Sequence, residues 1–385
     1  MPEISVIMPV YNGERFVAEA IESVIGQTYR DFELIIVNDG STDGTAVILE
    51  QYRNRTDVKI KIIQHPANQG VSAAQNSGIA ICSGKYLMFA GADDIQEPER
   101  LEKQFRVFEE QPWVDMVFAD CIFVDECNRS LNRQKGYPEG MTSENAILFQ
   151  LKRNHLFSGL VLLRKTPDIW FDITLPNAVD YELFIRLLLA DYKLAVLNQP
   201  LARCRVHTKN ISGQRKVSGK SVERILSRLD YPKILADLSR RFPESEVRLA
   251  VAGATLAANL PEKALEYLQD VSFEPEAAIL ERAFTMGVCY YRLGNYAKSL
   301  ECFQTAIQMK PDDPAVLNNL GVLTVLTGGS QTEAMVYFQK ALVLREGYLD
   351  ATYNLDDLKA EKNTQLRITE RQLRPSFVHA EHYQL

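Results

Sequence analysis

Two short apolar stretches near the start of the chain decide its fold. Residues 4–13 read ISVIMPVYNG, and residues 32–41 read FELIIVNDGS. Each apolar run is continuous and ends in turn-forming residues, which is typical of a strand buried on both faces. Pro9 is predicted to end the first strand. Further strands are predicted at 59–64 and 86–89, with helical patterns between them, and this βαβ order favours a mostly parallel sheet with helices on both faces.

Length and composition narrow the class of protein. The chain has 385 residues, 46% of them hydrophobic and 24% charged, so it is long enough for two or three domains with real cores. The formal net charge of −7 argues against a nucleic-acid binder. No apolar run approaches the length of a membrane helix, and the start lacks a basic segment, so we expect neither a membrane span nor a signal peptide. The six scattered cysteines indicate a reducing, cytoplasmic location.

The composition changes after the first two hundred residues. From Arg203 to Arg241 there are eleven Lys or Arg and three acidic residues. Beyond this stretch the sequence is helical. We therefore predict an α/β domain at 1–213, a basic helical linker at 214–245, an all-α repeat domain at 246–360 and a polar, mobile tail at 361–385.

The repeat domain is indicated by a period of 34 or 35 residues. Three pairs recur at this spacing: Gly287 and Gly321, Phe303 and Phe338, and Ala306 and Ala341. The period resembles that of tetratricopeptide repeats, in which small residues lie where two helices cross. One extra residue in the second copy is placed in the turn at 327–331. Such repeats bind a peptide, a partner protein or a second copy, although a generic helical bundle or a merely stabilising cap remains open.

Polar residues follow each of the first four strands. The strand ends carry Tyr11, Asp39, the Asn68–Gly70 turn, and the adjacent acids Asp93 and Asp94. The carboxyl ends of parallel strands meet at one edge of a sheet, where ligands bind. Adjacent carboxylates after an apolar strand call for a cation, and Mg²⁺ or Mn²⁺ on a diphosphate is the natural partner. The Gly-rich lysine loop of kinases and the G-x-G-x-x-G of dehydrogenases are both missing.

Five motifs, taken together, resemble those of family 2 glycosyltransferases, which have the GT-A (nucleotide-diphospho-sugar transferase) fold. They are residues 6–12, residues 36–43, the Asn68-x-Gly70 and Asn76-x-Gly78 pair, Asp93-Asp94, and Asp180-Tyr181-Glu182. The resemblance covers the first predicted domain. It implies metal-dependent, inverting transfer of a sugar from a nucleotide-diphosphate donor, UDP-linked in the first instance, to a hydroxyl of a saccharide, lipid-linked or protein acceptor. Cell-surface polysaccharide or glycoconjugate synthesis is the implied setting.

The resemblance also implies roles for individual residues. Pro9 and Tyr11 would line the base pocket, and Asp39 would accept a hydrogen bond from a uracil-type base. The donor side would further include Asn68, Gly70, Asn76, Asp93 and Arg205. Asp94 would coordinate the metal, with His207 as a further ligand or a phosphate contact. Asp180 would be the general base.

Plainer interpretations stay open for several of these residues. Asp39 could be a turn former, and Asp180 a helix N-cap whose pKa is kept low by the helix terminus. Asn12 is predicted to cap the first helix, and His207 could be a surface histidine. The chain also departs from the family pattern, with Gly91, Gln75 and Val179 at positions that often carry Asp, Arg and an acid.

Other functions are possible from sequence alone. One is a nucleotidyltransferase-like enzyme, although residues 9–15 lack the required Gly-rich, lysine-bearing loop. Another is a non-catalytic assembly protein that uses its repeats beside a decayed transferase domain. The basic stretch could give peripheral contact with an anionic membrane at its inner, cytoplasmic face, although a solvated helix face is the simpler interpretation.

Overall fold

A nine-stranded sheet forms the centre of the first part of the chain. The computed structural model describes residues 2–207, 215–269, 271–360 and 365–370. The chain divides into two units, Met1–Val222 and Glu223–Leu385. The strands are β1 (Ile4–Val10), β2 (Phe32–Asn38), β3 (Lys59–Gln64), β4 (Tyr86–Phe89), β5 (Ile95–Gln96), β6 (Met116–Val124), β7 (Ser130–Lys135), β8 (Val161–Arg164) and β9 (Leu194–Arg205).

The sheet is parallel in its first half and mixed in its second. The strand order is β3-β2-β1-β4-β8-β6-β9-β5, with β7 beside β6. Strands β1 to β4 pair in parallel, as does β6 with β9, whereas β8 pairs antiparallel with β4 and β6. The predicted parallel arrangement is confirmed where strands and helices alternate. It does not extend to β8, because strand and helix no longer alternate regularly there.

Helices accompany the sheet, and α1 and α3 pack on opposite faces of its parallel half. The helices are α1 (Val17–Ile25), α2 (Thr45–Glu50), α3 (Val71–Ile81), α4 (Arg100–Glu110), α5 (Ala146–Lys152), α6 (Val179–Leu189) and α7 (Arg215–Ser227), which crosses the boundary between the units. Alternate residues of β1 point to opposite faces. Val6 and Met8 share a buried cluster with α1, whereas Ile7 contacts α3 at Gly78, where a Cβ would lie 2.5 Å from its Cγ2. The close approach of α3 to the sheet therefore requires a glycine at position 78.

Pro9 does not end β1, contrary to the prediction. The strand continues to Val10, and Pro9 pairs with Val37 of β2 in the parallel register. Pairing of β1 with β4 extends only from Ile4 to Ile7. A residue without an N–H is tolerated at position 9 because β4 no longer pairs with β1 there.

The second unit is a stack of helices. They are α8 (Tyr231–Leu238), α9 (Glu244–Ala257), α10 (Pro261–Leu268), α11 (Glu276–Arg292), α12 (Tyr296–Met309), α13 (Pro314–Leu326), α14 (Gln331–Leu344) and α15 (Leu349–Lys359). In the described part of the chain, no helix combines the length and apolar character needed to cross a membrane.

The predicted repeat geometry is confirmed by the helix crossings. A Cβ on Gly287 would lie 2.7 Å from the ring of Phe303, and one on Gly321 would lie 2.6 Å from the ring of Phe338. Equivalent glycine–phenylalanine contacts therefore join α11 to α12 and α13 to α14. The first pair is joined by residues 293–295 and the second by residues 327–330, so the extra residue lies in the expected turn.

The end of the chain differs in part from the prediction of a mobile tail. Residues 365–370 pack against the repeats, with Leu366 and Thr369 buried. The rest of the predicted tail, residues 361–364 and 371–385, lies outside the described residues.

Candidate active site

The sheet has a topological switch point between β1 and β4. Strands β2 and β3 lie on one side of β1, and β4 lies on the other. Ligands of open α/β sheets bind in the crevice outside such a point, at the carboxyl ends of the strands. Tyr11 follows β1 there and is 49% exposed, and the Gly91–Asp94 turn follows β4. Tyr11 and the acid pair thus flank one crevice.

Asp39 holds the β2 end of this crevice in place. Its backbone N–H donates to the carbonyl of Val10, which ties the ends of β1 and β2 together at 2.9 Å. Its carboxylate accepts from the backbone N–H groups of Gln69 and Gly70, at 2.9 and 2.8 Å. The Asn68 side chain also accepts from Gly70. Three predicted donor-side residues, Asp39, Asn68 and Gly70, are therefore brought together by direct hydrogen bonds.

His65 belongs to the same group and was missed by the sequence analysis. Its Nδ1 lies 2.7 Å from Oδ1 of Asp39, and its Nε2 lies 2.9 Å from the hydroxyl of Ser77. The imidazole thus bridges the end of β2 to helix α3. A signal did exist, because His65 is the first residue after β3 and so lies at the ligand-binding edge.

Asn12 and Asn76 have positioning roles. Asn12 is not the cap of α1, which begins at Val17; instead its Oδ1 accepts from the backbone of Thr42 at 2.8 Å, and its own backbone has a left-handed φ of 49°. The Asn76 side chain makes two hydrogen bonds with the backbone of Phe171. It accepts from the N–H at 2.9 Å and donates to the carbonyl at 2.8 Å. Asn76, predicted as a donor-side residue, therefore fixes the loop that leads to α6.

The acid pair forms a cradle over Gly91. A Cβ built on Gly91 would lie 2.6 Å from Oδ2 of Asp94 and 3.0 Å from Oδ1 of Asp93. One oxygen of each carboxylate therefore points toward the same small space, which only glycine leaves open. Burial and the neighbouring Asp93 charge raise the pKa of Asp94 to about 7. Within the described ranges, no group of three or more His, Cys, Asp and Glu side chains is arranged as a metal site.

Arg205 holds the turn that carries the acid pair, and it is buried, with only 4% of its surface exposed. Its backbone N–H donates to Oδ1 of Asp94 at 2.9 Å, and its Nε donates to the carbonyl of Asp93 at 2.9 Å. The guanidinium also pairs with Glu19 at 2.7 Å and stacks over Phe16. The sequence analysis predicted Arg205 as a donor-side residue, and the structure shows that its polar groups hold the turn. Glu19 has no motif of its own and was missed.

His207 contacts the acid pair directly. Its Nε2 lies 3.0 Å from Oδ2 of Asp93, and its ring packs on Phe16 with centroids 5.3 Å apart. Residues 208–214, which follow His207, lie outside the described residues. Arg100, which the sequence analysis also missed, is fully buried and close enough to Asp94 for the two charges to interact.

Asp180 lies in the first turn of α6 rather than at its N-cap, which is Ala178. Its Oδ1 accepts from the backbone N–H of Tyr181 at 2.8 Å and from the Asn154 amide at 3.2 Å. Burial raises the pKa of Asp180 to about 6, despite these hydrogen bonds and one from the Ser158 backbone. The expectation of a low pKa was wrong, because loss of solvation outweighs the helix terminus.

A well-formed cavity of the first unit lies away from the acid pair. It has a volume of about 520 Å³ and is lined by residues from 111–113, 137–144 and 194–198. None of the predicted site residues is in its wall. The acid pair and Tyr11 therefore lie outside this cavity.

Comparison with known proteins identifies the family. Residues 5–172 match the profile described as Glycosyl transferase family 2, and residues 287–328 match a TPR repeat. An uncharacterized glycosyltransferase of Methanocaldococcus jannaschii is 33% identical over 214 residues, which cover 54% of this chain and 72% of that protein. The chain belongs to glycosyl transferase family 2.

Other relatives and solved structures resemble this glycosyltransferase. A putative teichuronic acid biosynthesis glycosyltransferase of Bacillus subtilis, TuaG, is 28% identical over 60% of this chain and 91% of its own length. The crystal structure of S. aureus TarS 1–349 with UDP-GlcNAc has a TM-score of 0.54 and 20% identity, covering 80% of this chain and 91% of that one. The likeness confirms the predicted GT-A fold of the glycosyltransferase.

Proposed function

We propose that this glycosyltransferase moves a sugar from a nucleotide-diphosphate donor to a hydroxyl acceptor, with inversion at the anomeric carbon. The observation that carries the proposal is the cradle over Gly91, where Asp93 and Asp94 each direct an oxygen into a space beside the switch point. Tyr11 and Asp39 follow the neighbouring strand ends, where a nucleotide base would lie. Diphosphate, base and sugar would thus be bound along one edge of the sheet.

The cradle fits a divalent cation. Asp94 and Asp93 would hold Mn²⁺ or Mg²⁺, which favour carboxylate oxygens, and phosphate oxygens of the donor would complete the ligand set. His207, now 3.0 Å from Asp93, would become a further ligand or a phosphate contact only as the donor binds. When bound, the ion would stabilise negative charge on the departing diphosphate. A cation would also offset the repulsion between the two carboxylates that raises the pKa of Asp94.

Asp180 is the candidate general base. With its pKa raised to about 6, this carboxylate is ionised at neutral pH and more basic than an ordinary aspartate. Its Oδ1 is fixed by Tyr181 and Asn154, so the carboxyl group is held in one orientation for the acceptor hydroxyl. The hydroxyl would attack the face of the sugar opposite the diphosphate, which inverts the anomeric centre.

The first test compares the wild type with Asp94→Ala. We expect loss of donor turnover and loss of the Mn²⁺-dependent part of UDP binding, measured by donor hydrolysis and by titration calorimetry. Asp57→Ala is the matched control, because Asp57 is an exposed aspartate of the same unit. Full turnover by the folded Asp94→Ala variant would contradict the metal assignment.

The donor and the acceptor are open to a direct screen. UDP-GlcNAc is the first donor to test, because TarS of similar fold was solved with it. The name of TuaG makes an envelope polysaccharide the first acceptor class to test. A panel of nucleotide sugars with Mn²⁺, scored by thermal shift and then by turnover, would identify the donor. If no donor shifts or reacts, the non-catalytic assembly protein is the better description.

We further propose peripheral contact with the cytoplasmic face of an anionic membrane through the basic stretch that includes α7 and α8. Its Arg and Lys residues outnumber its acids, although Lys233 and Arg240 pair with Asp237. Flotation with vesicles containing an anionic lipid should show binding that falls as salt rises. If neutral vesicles carry as much protein as anionic ones, the proposed membrane contact is wrong.

A further inference from the structure

Residues 365–370 lie as an extended segment across the repeat helices, and asparagine side chains hold their backbone. Asn354 of α15 accepts from the N–H of Arg367 at 2.6 Å and donates to its carbonyl at 2.8 Å. Asn319 of α13 does the same for Thr369, at 2.7 and 2.8 Å. Arg367 and Thr369 are therefore each bound through both their N–H and their C=O by the amide of one asparagine. Any non-proline residue could make this contact.

The two asparagines occupy equivalent positions of successive repeats. They are 35 residues apart, the same separation as Phe303 and Phe338. Two residues of an extended chain span roughly 7 Å. Because Asn354 holds residue 367 and Asn319 holds residue 369, successive repeats contact every second residue of the extended segment. Asn318 joins them by donating to the carbonyl of Arg367 and accepting from Asn354.

Side chains of the segment add selectivity. Leu366 is buried in a cluster with Val322 and Leu355, and Ile368 packs against the neighbouring core. The hydroxyl of Thr369 donates to Asp350 at 2.8 Å. Two charged side chains of the segment are also engaged: Arg367 lies over the ring of Tyr353, and Glu370 pairs with Arg292 at 2.7 Å. These contacts correspond to a sequence of the form Leu-Arg-Ile-Thr-Glu.

We propose that residues 365–370 act as an internal ligand, which closes in cis the peptide groove expected of tetratricopeptide repeats at Asn318, Asn319 and Asn354. The partner is a protein segment with a leucine, a threonine three residues later and an acidic residue after it. All three asparagine side chains are fully buried beneath the segment, so a partner must displace residues 365–370 before it binds. Tethering gives the internal segment an effective concentration on the order of millimolar, which makes it a strong competitor.

The test uses a fluorescein-labelled peptide of residues 362–373 and the full chain. In the double variant Leu366→Asp, Thr369→Pro, the internal segment loses its apolar anchor and the N–H that donates to Asn319. We expect this variant to bind the peptide at least tenfold more tightly than the wild type, measured by fluorescence anisotropy. Adding Asn319→Ala to the double variant should reverse most of the gain.

Peptides that differ only in the position of one N-methyl group show whether binding depends on the backbone hydrogen bonds or on nonspecific contact. N-methylation of the residue 369 amide should weaken binding at least tenfold, whereas N-methylation at 368 should have little effect because the two held residues are 367 and 369. No binding to the folded double variant would overturn the peptide site. Equal binding to wild type and double variant would overturn occupation in cis, as would a wild-type dimer that the double substitution dissociates, measured by light scattering.

Discussion

Asp180 shows how burial sets the chemistry of a single residue. Its pKa is raised to about 6, and the general base must be ionised, so kcat/KM should fall as pH drops below about 6. Asp180→Asn should lower kcat by roughly 100- to 10,000-fold, the usual contribution of general base catalysis. A pH–rate profile and the kcat of the variant check both expectations.

The control for this prediction is Glu182→Gln, in the same first turn, where the lost carboxylate pairs with Arg186. Its activity should stay near that of the wild type at pH 7. The raised pKa also makes the stability of the fold depend on pH. Neutral Asp180 stabilises the folded state, and this contribution is lost as the pH rises through about 6. Asp180→Asn should therefore keep its stability at pH 7, and a large loss would mean that the residue is mainly structural.

Gly91 is the second residue with a specific expectation. In Gly91→Ala the new Cβ would lie 2.6 Å from Oδ2 of Asp94, so this flexible carboxylate must move out of the cradle. Misplacing a ligand in this way should lower metal-supported turnover by roughly 10- to 100-fold. Turnover measured against Mn²⁺ concentration should also show a higher half-activating concentration.

Gly136→Ala is the matched substitution, because its Cβ would meet no atom within 4 Å. It should leave both turnover and the Mn²⁺ dependence unchanged. If Gly91→Ala behaves in the same way, the cradle does not hold the ion.

At the scale of elements, β2 carries a buried charge. Burial alone would raise the pKa of Glu33, but hydrogen bonds from Ser83 and Ser5 and the contact with Lys61 lower it to about 2. A shift of this size amounts to on the order of 3 kcal/mol. Since the folded pKa is depressed, the stabilisation is present above about pH 4.5 and is lost as pH falls toward 2.

Glu33→Gln should therefore destabilise the protein by about 2–3 kcal/mol at pH 7, since it removes a buried charge and leaves Lys61 unpaired. The difference from the wild type should shrink as the pH is lowered to 3. Urea unfolding at both pH values measures this, with the exposed Glu50→Gln in α2 as control. A constant difference at both pH values would show that packing, and not charge, stabilises β2.

The elements also show where sequence reasoning succeeds and fails. Asp39, Asp93 and Asp94 could be located because they lie in the turns that follow continuous apolar strands, and parallel strands end at one edge. His65 could have been found in the same way, as the first residue after β3, although its bond to Asp39 could not. Glu19 could not be found, because its role depends on contact with Arg205 from another element. Arg205 could be placed at the site from its sequence position, but only the fold shows that its side chain is buried and pairs with Glu19.

At the scale of the whole molecule, the two units have separate cores. The first core surrounds β1 and β2, and the largest cluster of the second surrounds α11 and α13. Gly321→Val should force the Phe338 ring away and lower the stability of the second unit by roughly 1–3 kcal/mol. Because the donor site lies in the first unit, KM for the donor should not change.

Calorimetry of the full chain measures the loss of stability, and donor kinetics measure KM. Adding Phe338→Leu to Gly321→Val should restore part of the stability, because a smaller side chain makes room for the new methyl groups. A rise in donor KM with Gly321→Val alone would show that the two units are coupled.

The sequence by itself determined the first four strands with the helices between them, the repeat period and the acids in the turns after the strands. These follow from local patterns: apolar runs, turn residues and recurring small side chains. Only the tertiary structure decided the raised pKa of Asp180, the burial of Arg205 and the contact of residues 365–370 with the repeats. The reason is that solvation and hydrogen-bond partners depend on which distant residues come together, and no local pattern encodes that.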